Sequence, residues 1–151
     1  MLILPNEWIL DYLTPGTNKP RLSEQLIVEC RKRGDLLLIR RVSAFRSKIF
    51  RYSRIYRSDT QIGKFVNLVV RDSQLVQLVE ETQIIPSGLD LATIPRDDHY
   101  LVEVLNSFPS AVLITTDQFL QEQIILLGLR AVLFRDDVEA ALAAVDAFEK
   151  T

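Results

Sequence analysis

Cysteine, histidine and glycine are scarce in this chain, and each scarcity closes a class of chemistry. The one cysteine, Cys30, rules out an internal disulfide framework and a cysteine-based zinc site. It falls inside a helical pattern, LSEQLIVECRKRG, where a free thiol usually acts as a small packed hydrophobe. His99 is the only histidine, and it lies far along the chain from that thiol, so nucleophilic cysteine chemistry has no nearby base. None of the five glycines builds a glycine-rich phosphate loop after a strand pattern. No apolar run approaches the roughly 18 residues of a membrane span, and no basic segment precedes a cleavable apolar one. A cytoplasmic setting is expected, with no membrane partner.

What the chain does contain is apolar residues and charge. At 48% hydrophobic and 25% charged over 151 residues, it has the composition of one ordered globular domain, residues 1–151, rather than of a disordered tract. The charge is unevenly placed. Residues 1–79 carry 14 Lys/Arg against 7 Asp/Glu, and residues 80–151 carry 4 against 13. Two readings follow with equal weight. One is a phosphate-facing surface beside a cation-binding one, and the other is attraction between the two halves of one molecule.

The periodicity predicts strands alternating with helices. Leu2, Ile3 and Leu4 form a strand stopped by Pro5, and Asn6 is placed to cap a helix carrying Trp8, Ile9, Tyr12 and Leu13 at helical spacing. Trp8 and Tyr12 are expected to be core anchors. A second helix runs from Arg21 to Arg33 before Gly34, and Leu36 to Ile39 reads as a strand covered on both faces. Residues 40–57, RRVSAFRSKIFRYSRIYR, hold six Arg and one Lys with no acid. On a helix, Phe45, Ile49, Tyr52 and Tyr56 fall on one face and Arg46, Arg51, Arg54 and Arg57 spread over the other. Together with Lys48 these are candidate nucleic-acid-binding residues, because arginine forks match phosphate oxygens and electrostatics supplies most non-specific affinity. A solvated face, or a surface for an acidic protein partner, competes with that reading.

Gln61 to Glu81 is expected to be more helix, broken near Asp72 and Ser73, and Thr82 to Ile85 a short strand ended by Pro86. Asp97 or Asp98 is placed to cap a helix through Tyr100, Leu101, Val104 and Leu105. Ala111 to Ile114 is an apolar, β-branched strand that delivers Thr115, Thr116 and Asp117 to its C-terminal edge. Phe119 to Leu127 is helical and stopped by Gly128, Ala131 to Phe134 is the last strand, and Asp136 to Glu149 is a terminal helix. On that helix Ala140, Leu142 and Val145 suit either the core or a homodimer face. The fold class is α/β, a three-layer α/β/α sandwich around a five-stranded parallel sheet.

In such sheets the chemistry gathers where the strands end. That edge brings Asn6 and Glu7 together with Thr115, Thr116 and Asp117, and Asp97 and Asp98 can join them from the start of a helix. Clustered carboxylates call for a neutralising cation, and hard oxygen ligands suit Mg²⁺ or Mn²⁺. His99 beside the aspartates is more plausible as a capping contact than as a base. Glu80 and Glu81 read as a helix end.

Residues 1–13, the aspartate-led helix at 98–105 and the segment ITTDQFL, in this order and spacing, resemble a PIN domain. PIN domains are a nuclease family that includes the toxins of many bacterial toxin–antitoxin pairs. The resemblance implies a five-stranded α/β/α sandwich and Mg²⁺- or Mn²⁺-dependent cleavage of RNA. It places Asp98 (or Asp97) and Asp117 at two of the family's acidic positions, with Thr115 orienting the latter. Two further acidic positions hold other residues. Pro5 stands at the end of the first strand, with Glu7 in place of the following Asn, and Arg46 or Lys48 stands where a Glu belongs. Two functions are thereby expected. One is a PIN-like scaffold of the metal-dependent ribonuclease lineage with weakened or lost cleavage chemistry that still binds RNA or an acidic partner. The other is an active endoribonuclease of toxin–antitoxin type, in which Glu7, Asp98 and Asp117 hold a metal ion with Asp97 beside them, Asn6 and Thr115 support them, and an inhibitory partner controls the enzyme. Asp117 has a competing role as a helix cap.

Overall fold

The computed structural model describes residues 1–150. Strands β1 (Leu2–Pro5), β2 (Leu36–Arg40), β3 (Val76–Val79), β4 (Ala111–Thr115) and β5 (Ala131–Leu133) form one sheet in the order β3-β2-β1-β4-β5, and every neighbouring pair is parallel. Parallel strands need crossovers. Helices α1 (Trp8–Asp11) and α2 (Pro20–Arg33) link β1 to β2, and α3 (Ala44–Ile55) and α4 (Thr60–Arg71) link β2 to β3. Helix α5 (His99–Ser107) precedes β4, α6 (Gln118–Leu126) joins β4 to β5, and α7 (Val138–Ala147) follows β5.

The alternation of side chains along each strand divides the core in two. Ile3, Leu37, Ile39, Val112, Ile114 and Val132 pack with the helices α1 to α4 and α7. Leu4, Leu38, Leu113 and Ala131 face the opposite way, toward α5 and α6. The result is three layers with apolar strands sealed on both sides, as expected from their near-continuous hydrophobic runs.

Local chemistry fixes the element ends. Ser43, Asp59, Asp117 and Asp137 each cap a helix by accepting a backbone N–H three residues on. Gly34 and Gly128 take left-handed backbone at the ends of α2 and α6, at φ of 78° and 79°. Pro5 sits at the last position of the central strand, opposite Ile114, after the ladder to β2 has ended at Ile3. Its missing donor therefore leaves no gap on that side.

Several boundaries differ from the sequence expectation. The helix expected to reach Glu81 ends at Arg71, and the third strand is Val76–Val79 rather than Thr82–Ile85. Asp72 makes the difference: its Oδ1 accepts the N–H groups of Gln74 and Leu75, each at 3.2 Å, turning the chain so that the following residues pair with β2. Residues Glu81–Gln83 are a 3₁₀ turn closed by a capping box between Glu80 and Gln83. Helix α3 stops at Ile55, so Arg57 lies in the turn beyond it. Asn6 does not cap α1, and α5 is entered through a 3₁₀ turn, Arg96–Asp98, without a side-chain cap from Asp98. On α7, Leu142 and Val145 are core residues while Ala140 points outward. Among the described residues no helix is long and apolar enough to cross a membrane.

Candidate functional site

The strand ends place Asn6 and Glu7 beside Thr115 and Asp117, because β1 and β4 pair along their whole length. This is also where the strand order reverses, the crevice at which open parallel sheets take ligands. Thr115 is fully buried, and its Oγ1 accepts from Asn6 Nδ2 and from the Asp117 backbone N–H, both at 3.2 Å. Trp8 ties the first helix to the same strand by donating its indole N–H to Ile114 O at 2.8 Å. Asn6 Oδ1 is enclosed and accepts no hydrogen bond.

The carboxylates have different fates. Asp117 is exposed and caps α6 through Leu120 N at 3.0 Å, so the competing structural role is present. Asp98 is half-buried. Its carboxyl is held above the usual range, first by burial and then by the charges of Asp117, Glu7 and Asp97, against a small opposing pull from His99. Asp97 is exposed. The Tyr100 phenol is raised too, by burial and then by Glu7 and Asp98. These groups therefore share one electrostatic neighbourhood. His99 is tied to backbone, with Nε2 2.8 Å from Ile94 O, and that contact requires the proton on Nε2.

Glu7 and Asp11 both meet a basic residue. Lys48 Nζ donates to Glu7 Oε2 at 3.1 Å and to Asp11 Oδ2 at 3.0 Å, and Asp11 Oδ1 is 2.8 Å away. Tyr52 OH donates to Asp11 Oδ1 at 3.0 Å. Burial pulls the Lys48 ammonium toward neutrality, but the hydrogen bonds and charges of Asp11 and Glu7 outweigh it and leave its pKa raised. Among the described residues, no three His, Cys, Asp or Glu side chains form a group that could hold a metal ion. The cation expected from the sequence does not fit the donors as arranged, because Glu7, the acid meant to start the set, is occupied by an ammonium.

The remaining cations on α3 behave differently. Arg46 donates from one terminal nitrogen to Arg41 O at 3.3 Å and stacks on Phe50 at 5.0 Å, and its Nε is buried without a partner. Arg51 lies over the Tyr52 ring, 5.9 Å from its centre. Arg51, Arg54 and Arg57 are exposed, and among the described residues no carboxylate pairs with any of them.

Sequence reasoning missed Asp11, Arg40 and the pairing role of Glu80 and Glu81. Arg40 closes the otherwise apolar strand LLLIR and is nearly buried, with Glu103 on one terminal nitrogen and Glu81 on the other at 2.8 Å. Arg41 pairs with Glu80 at 3.1 Å. A charge ending a doubly covered strand, and an acid four residues after Glu7 on a helix, were the available signals.

Compared with known proteins, the chain matches no family model, no curated protein and no solved structure. Its strand order is consistent with a PIN-like topology.

Proposed function

We propose that this is a PIN-like domain of the metal-dependent ribonuclease lineage that has lost its cleavage chemistry and binds RNA through α3. One observation carries the reading. Arg51, Arg54 and Arg57 stand exposed and unpaired, whereas Arg40, Arg41 and Lys48 in the same basic run are all neutralised by carboxylates. Guanidinium groups on the last turns of α3 and in the turn just beyond it offer forked donors to phosphate oxygens. What supports the loss of that chemistry is that Pro5, and Arg46 or Lys48, stand where the resemblance places acids, and that an ammonium sits on Glu7.

The test is a titration of single-stranded RNA at two salt concentrations, with Arg51→Glu plus Arg54→Glu as the variant. Affinity should fall, and the slope of log affinity against log salt should drop by about 1.4 if each lost phosphate contact contributes about 0.7. Unchanged affinity at both concentrations removes RNA as the ligand of this face and leaves an acidic protein as its partner.

A second reading, a Mg²⁺- or Mn²⁺-dependent endoribonuclease of toxin–antitoxin type, draws support from the proximity of Asp98 to Asp117, Glu7 and Asp97. It requires Mn²⁺-dependent cleavage by the wild type that Asp117→Asn abolishes.

A further inference from the structure

The contacts around Lys48 support an inference that deepens the lost-cleavage half of the proposed function and does not depend on RNA being the ligand. Glu7 and Asp11 are four residues apart across the first helical turn, so their carboxylates reach the same side. Helix α3 crosses that side and sends Lys48 between them, 3.1 Å from Glu7 Oε2 and 2.8 and 3.0 Å from the two Asp11 oxygens. An ammonium has three donors, and three carboxylate oxygens meet it. Tyr52, one turn further along α3, donates to Asp11 Oδ1 and completes the ring of contacts. The lysine side chain is only 14% exposed while Glu7 and Asp11 are 39% and 43% exposed, so the ammonium is drawn in against two carboxylates that still reach solvent.

We infer that the Lys48 ammonium takes the place of a divalent cation between Glu7 and Asp11, so that this carboxylate pocket is closed by the chain's own charge and binds no divalent metal. A hard metal ion bonds oxygen at roughly 2.0 to 2.6 Å. At that distance from the same oxygens it would meet the ammonium at close range, with like charges facing each other. The geometry holds one cation, and the chain supplies it. Two consequences follow. The packing of α1 against α3 does not depend on metal, and any ligand held by the outer face of α3 is held equally well in the presence of a chelator. Reversing the charge at position 48 should expose the two acids and generate the missing affinity.

The experiment is calorimetric titration of Mn²⁺ into the full chain freed of metal, at neutral pH. The wild type should show no binding that depends on Glu7 or Asp11. Lys48→Glu should gain saturable binding, and its melting temperature should climb with Mn²⁺ while that of the wild type stays level. Adding Glu7→Gln and Asp11→Asn to that variant should remove the gain. Saturable binding by the wild type that Glu7→Gln abolishes overturns the inference. So does a folded Lys48→Glu variant with no gain. Should Lys48→Glu fail to fold, Lys48→Met is titrated in its place: a gain of Mn²⁺ binding is expected of it, and no gain in the folded variant overturns the inference.

Discussion

Asp98 is a half-buried carboxylate with no ion-pair partner among the described residues. Burial, then Asp117, Glu7 and Asp97, hold its folded-state pKa above the ordinary carboxylate value. The folded chain therefore binds this proton more tightly than the unfolded chain does. As pH rises from the ordinary value through the raised one, that preference costs stability. Asp98→Asn removes the cost. The variant should be more stable than the wild type at neutral pH, and the gap should close as pH falls below the ordinary carboxylate value. Urea midpoints between pH 3.5 and 7 measure it, and a gap that does not vary with pH sinks the account. At this scale the sequence disclosed which polar groups collect at the sheet edge, since Asn6, Glu7, Thr115 and Asp117 simply follow apolar runs. It did not disclose what each side chain would bond. Lys48 reads as one more cation in a basic run, and only the packing of α3 on α1 directs it to Glu7 and Asp11.

Helix α6 begins on Asp117, and an element-level experiment separates the two roles of that residue. Asn and Asp cap about equally well, while Ala removes the cap at a cost of roughly 1 kcal/mol. Asp117→Ala should therefore lower stability by about that amount in chemical denaturation, and Asp117→Asn should leave it nearly unchanged. Equal losses in both variants would show that the charge, not the cap, stabilises the helix start. Elements were legible where one signal dominated: β4 is apolar from Ala111 to Ile114, and α2 ends on a run of basic residues and a glycine. The third strand was not. The segment LVQLV suits a helix face and a short strand equally, and its state is decided by Asp72 turning the chain and by the free edge of β2. Thr82–Ile85 carries β-branched residues but has no strand to pair with, so it stays outside the sheet.

Across the whole molecule, the split between a basic first half and an acidic second half resolves into two populations. Some of it is mutual attraction: Lys19 reaches Asp136, Arg33 reaches Asp146, Arg40 reaches Glu81 and Glu103, and Arg41 reaches Glu80. Others, Arg51, Arg54 and Arg57 among them, face solvent. The acids after β3 thus bound the open part of the basic surface at its β2 end. Glu80→Gln combined with Glu81→Gln should release Arg41 and one arm of Arg40. If RNA is the ligand, the salt slope of binding should steepen by about 0.7 for each phosphate newly met, and an unaltered slope would mean that those arginines face away from the path. One further property belongs to the molecule as a unit. Trp8 is the only tryptophan, 5% exposed, stacked 4.5 Å from Phe134 and bonded to Ile114 O, one residue from Glu7. Indole emission moves to the red when water reaches the ring. The chain thus carries its own optical probe at the junction of α1, β4 and β5, where unfolding or an arriving ligand can be followed without a label.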